Sequence, residues 1–339
     1  PLSPRGAKAY SEPVSADAPE SLFDELSPDS PAEWALSMSV RADAGHLDAL
    51  RDASGQTLDP LWSTFFDHVG TEGLADLNRR NENLQRQIRD NGVTYNVYAD
   101  AAGQQRPWAL DLFPMLIGPQ DWAEIEAGVR QRAQLLNAMM ADLYGARDLV
   151  QRALLPAALV QGHPGYLRAM QGVRPAGDTW LHIVAFDLAQ GPDGRWWVVG
   201  QRTQAPSGLG YLLENRIAVA RQFPKAFAGM RVQRLAGSYR ALMNGIKSLA
   251  PEGEDARIAL LTPGPYNETY FEHAYLARYL GLTLVEGNDL TVRDQRLYLK
   301  TLKGLEPVHA LIKRVDDEWL DPLELRSDSS LGIPGLLQV

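Results

Sequence analysis

The sequence predicts a mixed α/β fold, and three observations predict it. From Arg257 onward, strand and helix signals alternate: "IALLTPG" (258–264), "NETYFEHAYLARYLG" (267–281) and "LTLVEG" (282–287) read as a β-α-β unit of Rossmann-like type. Two apolar runs flank "QGPDG" (190–194), where Pro-Asp-Gly is a turn signal that joins them as a hairpin. Elsewhere, long segments space their apolar residues at helical period. With 339 residues, 45% of them hydrophobic and 22% charged, the chain can bury a substantial core and is expected to form two lobes.

In chain order, residues 1–35 are rich in Pro, Ser, Ala and acidic side chains and read as a weakly ordered leader. Leu61, Phe65, Phe66, Leu74, Leu77 and Leu84 then fall at helical spacing, which predicts a helical layer between Pro60 and Asp90. "GVTYNVYAD" (92–100) alternates and is β-branched or aromatic, the pattern of a strand, with "AAGQQ" as the turn behind it. A long helix is predicted from Pro119 or Asp121 to Gly145 on the stripe Trp122, Ile125, Val129, Leu136, Met140 and Leu143. The hairpin follows in "WLHIVAFDLA" (180–189) and "RWWVVGQ" (195–201), then helices in 212–227 and 235–250. That region, 36–250, ends at the acidic linker "PEGED" (251–255). The α/β unit of 257–339 adds a hairpin, "LTVRDQRLYLK" (290–300), and a last strand, "HALIKRV" (309–315).

Composition excludes several function classes. A net charge of −9 argues against a general nucleic-acid binder, which needs a basic face to neutralise phosphates. The chain has no cysteine, which removes disulfides, thiolate zinc sites and cysteine nucleophiles and is compatible with a reducing cytoplasm, the expected compartment. No apolar run approaches the roughly 20 residues of a membrane span. The sequence contains neither G-x-x-x-x-G-K-[ST] nor a G-x-G-x-x-G opening a helix. Its six histidines, His46, His68, His163, His182, His273 and His309, show no metal-ligand spacing.

Three weaker clusters carry chemistry. "PSGLGYLLENR" places Ser207, Gly208 and Gly210 just before a helix, where bare N–H groups and the helix dipole can hold an anion. "LTPGPYNETY" does the same with Gly264, Asn267 and Thr269, Asn267 being the expected N-cap. Such turns also use these residues for conformational reasons alone. "KRVDDEWLDPLELRSDSSLG" crowds Lys313, Arg314, Asp316, Asp317, Asp321, Glu324, Arg326 and Asp328 at a strand exit, the place where open α/β sheets bind ligands. A salt-bridged loop accounts for that cluster equally well.

Taken together, "NGVTYNVY", "RPWALDLFP", "GVRQRAQLLN", "APSGLGYLLENR", "LLTPGPYNETYFEHAYLARYLGLTLVEGNDL" and "KRVDDEWLDPLELRSDSSLGIPGLL" resemble the circularly permuted ATP-grasp (type 2) proteins, of the kind akin to glutathionylspermidine synthase. The likeness runs from about Asn91 to the last residue. It implies an ATP-grasp-like fold in permuted order with a Rossmann-like pre-ATP-grasp unit. The implied chemistry is ATP-dependent carboxylate–amine ligation through an acyl-phosphate, with ATP and Mg²⁺ as cofactors and a peptide-like or polyamine-like substrate. Under it, Asp187 is the metal ligand, Ser207, Gly208, Gly210 and Asn267 meet the nucleotide, Arg202 meets phosphate or acyl-phosphate, and Arg314 orients the acceptor.

The sequence departs from that pattern at the second hairpin strand. Related proteins that look catalytically complete carry Leu-Glu-Asp-Asn there, whereas "VVGQR" puts Gly200 in place of the Glu and Arg202 in place of the Asn. Arg202 cannot ligate a metal; it can substitute for a cation, or it can pair with Asp187 across the hairpin and close the site. Related proteins also continue past "LGIPGLL", so a chain cut from a longer protein is expected. Two functions remain open: a ligase, with small carboxylate and amine substrates, and a degenerate ATP-grasp-like module that binds a protein partner or a small anion.

Overall fold

The computed structural model describes residues 30–95 and 108–339. Ser30 caps the first helix, α1 (Pro31–Met38), by accepting from the Glu33 N–H, and Pro31 supplies its fixed φ at the opening position. Residues 31–35, expected in the leader, are therefore helical, and Ala35 is buried against α2 (Pro60–Ala75); residues 1–29 lie outside the described residues. Asp59 caps α2, and α3 (Leu77–Asp90) follows. The predicted stripe forms their core, with Phe65, Phe66, Leu74 and Leu84 buried. The strand expected over 92–100 falls largely outside the described residues.

The long helix α4 (Pro119–Tyr144) begins with Pro119 at its first turn, as its sequence requires. Two single-turn helices follow, α5 (Asp148–Gln151) and α6 (Ala157–Gln161). Asn137 of α4 then accepts from the backbone N–H groups of Trp180 and Leu181, which aims the chain into the hairpin.

That hairpin is β1 (Ala185–Gln190) with β2 (Trp196–Arg202), antiparallel around the Pro-Asp-Gly turn. From it the chain enters α7 (Leu209–Gln222), α8 (Pro224–Gly229) and α9 (Ala236–Lys247). The α/β unit follows: β3 (Ile258–Leu261), α10 (Tyr270–Leu280), β4 (Thr283–Val285), a meander of β5 (Leu290–Arg293), β6 (Arg296–Thr301) and β7 (Gly304–Pro307), and β8 (Ala310–Lys313). Strand β3 pairs in parallel with β4 and β8 and is the centre of their sheet.

The period of two in β3 joins two cores. Leu260 points to Leu213, Tyr239, Tyr275 and Leu276 on α7, α9 and α10. Ala259 and Leu261 point the other way, to Val285, Leu297, Val315 and Ile333. A strand buried on both faces reads as a continuous apolar run, and "IALL" is one.

Candidate functional site

The hairpin and the turn behind it form the candidate site. Ala185 lies opposite Arg202 and Asp187 opposite Gly200, with a bulge just after Asp187. Residues 185 and 187 share a face, so Arg202 reaches Asp187 diagonally and its Nη2 donates to Oδ1 at 2.6 Å. Both side chains remain about half exposed, at 61% and 46%, so the pair contributes only about 0–1 kcal/mol and opens readily to a competing ion. No group of three or more His, Asp or Glu placed to hold a metal occurs among the described residues. Gly200 contributes no side-chain oxygen, and one Asp187 oxygen is already engaged by a cation. This donor set does not fit Mg²⁺, which requires near-octahedral oxygen ligation.

The turn after β2 differs from the sequence expectation. Gly208 and Gly210 do present their N–H groups to an anion, but that anion is Glu272 of α10. The Gly208 N–H donates to Glu272 Oε1 at 2.8 Å and Oε2 at 2.9 Å, and Gly210 donates to Oε1 at 3.2 Å. Glu272 has no exposed surface, and a Cβ on Gly210 would come within 2.7 Å of Glu272 Cγ. A phosphate thus has no free donors at Gly208 or Gly210, and Ser207 is left on the surface.

Arg314 completes the arrangement from the end of β8. Its Nη1 donates to the carbonyls of Pro206 (2.6 Å) and Ala205 (3.3 Å), while Nη2 stands 3.6 Å from Glu272 Oε1. Burial pushes its pKa below the ordinary guanidinium value, and the Glu272 charge works against that shift. In place of the expected grip on an acceptor substrate, Arg314 fastens the turn and α10 to β8.

Asn267 is likewise not the helix cap. The helix starts at Tyr270, and Asn267 Oδ1 accepts from both the N–H and the hydroxyl of Thr269 (3.0 and 2.7 Å). Because that hydroxyl donates to Asn267, it accepts from His273 Nε2 at 3.0 Å, and His273 Nδ1 accepts from the Thr262 hydroxyl at 2.9 Å. His273 is buried and neutral, its pKa driven down to about 3 by desolvation and by the Arg314 charge. Asn267 and Arg314 line different cavities.

The buried neutral histidine has a pH consequence. An unfolded chain takes up a proton near pH 6.5 and the folded one only near 3, so stability is complete above 6.5 and declines as pH falls between those values. Denaturant titrations should show a slope of about 1.4 kcal/mol per pH unit setting in below pH 6.5, before carboxylates contribute. His273→Gln should flatten it, and an unchanged slope would assign it to other groups.

The acidic–basic run after β8 resolves into local pairs. Lys313 forms an ion pair with Asp317, Arg326 pairs with Asp328 and Glu318 while lying over the Trp319 ring, and buried Asp321 accepts from the N–H groups of Leu323, Gly335 and Leu337. Sequence reasoning missed Glu272; its signal was a carboxylate four residues from Leu276, on the apolar side of its helix.

Residues 114–339 match the pattern of the circularly permuted ATP-grasp type 2 family. The chain belongs to that family. It is 36% identical over 293 residues to the uncharacterized protein sll0335 of Synechocystis, an alignment covering 86% of this chain and 61% of the relative. Over 308 residues it is 37% identical to the uncharacterized protein Rv2567 of Mycobacterium tuberculosis, covering 85% and 35%. The uncharacterized protein Rv2411c of the same organism is 34% identical over 291 residues, covering 86% and 52%. This ATP-grasp chain thus spans between about a third and three fifths of the length of these relatives. Among its described residues no helix is long and apolar enough to cross a membrane.

Proposed function

We propose that this ATP-grasp chain is a binding module rather than a site of Mg²⁺-ATP turnover. The observation that carries the reading is Glu272, whose carboxylate fills the N–H donors an ATP-grasp nucleotide was expected to use. The Asp187–Arg202 pair supports it, since a guanidinium stands where a metal would need oxygen. The ligand class that suits such a module is a small anion, in a cytoplasmic setting.

Calorimetry tests the reading. The chain should show no saturable Mg²⁺-ATP binding in the micromolar range. In the Gly200→Glu, Arg202→Asn double variant, two oxygen ligands return beside Asp187; each charge-assisted contact contributes about 1.5–3 kcal/mol, so Mg²⁺ affinity should rise by about a hundredfold or more. Micromolar Mg²⁺-ATP binding by the parent chain, lost in Asp187→Asn, would overturn the proposal.

The family match favours a second reading, for a protein of its relatives' length: ATP-dependent joining of a carboxylate to an amine on a peptide-like or polyamine-like substrate. Half-exposed Arg202 would then serve as a cation facing transferred phosphate. ADP release that requires both a carboxylate and an amine, and falls in Arg202→Met, would favour it.

A further inference from the structure

Charge is unevenly spread along this chain. From Asn215 to Ala250 the sequence has seven Lys and Arg but no Asp or Glu, although the whole chain has a net charge of −9. Val219, Phe223 and Ala226 turn into the helical core at helical spacing, which leaves Arg221 and Lys225 on the solvent side of α7 and α8. Arg80 of α3 donates from Nη1 to the Gln222 carbonyl and lies over the Phe223 ring, fixing the α7–α8 junction against α3. Arg216 Nη1 donates to the Gln233 carbonyl at 2.8 Å while its guanidinium lies over Phe227. The 231–234 segment, with exposed Arg231 and Arg234, is thereby fastened beside the same two helices.

Arg221, Lys225, Arg231 and Arg234 are all exposed, and none forms an ion pair with a described residue. Arg221 and Lys225 open on a groove of about 480 Å³ between α2, α3 and the α7–α8 junction, where Glu72, Asp76 and Asn83 also stand. Asp76 is held by Arg79 and Arg80. A cluster of like charges without counter-charge attracts a matching anionic surface. Two features select which one. A nucleic-acid backbone offers acceptors alone, so Glu72 and Asp76 oppose it, whereas a polypeptide brings N–H donors for them together with its own carboxylates. No large apolar side chain between residues 215 and 250 is exposed, so the face lacks both the aromatic platform of a single-strand site and the apolar anchor that a polybasic patch needs on a lipid surface.

We infer that this face, from the α2–α3 groove to the 231–234 segment, docks an acidic, extended segment of a partner protein, its carboxylates on Arg221, Lys225, Arg231 and Arg234. These residues lie outside the hairpin and the 205–210 turn, so the inference goes beyond the small-anion reading and does not rest on it. Exposed ion pairs are individually weak and screened by salt, so the docking depends on several cations acting together and on low ionic strength.

The probe is a fluorescein-labelled peptide of alternating Glu and Ser, about 14 residues long and so about 45 Å when extended. Its binding to the 339-residue chain is read by fluorescence anisotropy. The Kd should be about 100 μM or tighter at about 20 mM salt, and about tenfold weaker or more at about 0.3 M. Arg221→Glu with Lys225→Glu should weaken binding about tenfold or more with the thermal transition retained. A Lys-Ser peptide of the same length should bind that variant more tightly than it binds the parent. Arg293→Glu with Arg296→Glu changes net charge equally at facing positions of β5 and β6, and should leave binding of the acidic peptide within about twofold. Equal weakening in both double variants, or none in the first, would overturn the inference. So would tighter binding, charge for charge, of a single-stranded oligonucleotide or of phosphatidylserine–phosphatidylcholine vesicles. A dimer of the parent that is lost in the Arg221→Glu, Lys225→Glu variant would give the face to a second copy and overturn it as well.

Discussion

Glu272→Ala is expected to destabilise the chain by about 3–5 kcal/mol, the range found when one partner of a buried ion pair is removed. Three hydrogen bonds from Gly208 and Gly210 end on this carboxylate, and Arg314 faces it with almost no solvent between. Deleting it leaves two N–H donors and a guanidinium without their anion, in a place water does not reach. Arg314→Met should cost a similar amount, because the carboxylate is then the orphan. Urea unfolding of both single variants and of the Glu272→Ala, Arg314→Met pair measures this. The pair should lose less than the sum of the singles by about 1–3 kcal/mol, since neither partner is left charged alone. A Glu272→Ala chain within 1 kcal/mol of the parent would refute this account of the turn.

Gly332→Ala is expected to cost about 3 kcal/mol or more, at the upper end of overpacking substitutions. A Cβ there would lie 2.5 Å from the Leu320 carbonyl carbon and closer still to the Trp319 and Leu320 oxygens. These are backbone atoms held by the Ile333 N–H to Leu320 carbonyl bond and cannot step aside as a side-chain tip would. Gly237→Ala, in α9 with open space around the new methyl, should instead stabilise by about 0.5–1 kcal/mol. Thermal or urea unfolding of the two separates close packing from a general effect of losing glycine; equal shifts would defeat the argument.

Where the chain's own period decides structure, it was legible. Helix α4, the Pro-Asp-Gly hairpin and the β3-α10-β4 unit all appear where apolar spacing and turn residues place them, although of the α4 stripe only Ile125 is buried and Trp122 is exposed. Strand β7 was not, because "GLEP" has a glycine, a proline and one apolar residue; it survives as the edge of its sheet, where Pro307 needs no ladder donor. At the site, the Asp187–Arg202 pair follows from strand alternation and a short turn. Glu272 does not, for its partners are backbone N–H groups more than sixty residues away, and main-chain donors leave no mark on a sequence. The same reason reverses the reading of Arg314, whose acceptors are the carbonyls of Ala205 and Pro206.

The contacts that close the 205–210 turn also set an order of assembly. Its carbonyls wait for Arg314, 109 and 108 residues further along, and its N–H groups for Glu272, 64 and 62 residues further along. A ribosome adding about 5–20 residues per second delivers Arg314 roughly 5–20 s after Ala205. Throughout that interval, the start of α7 can rest on α3 but has neither its anion nor its clamp. The nascent hairpin and helix therefore acquire their final junction only when β8 has left the exit tunnel.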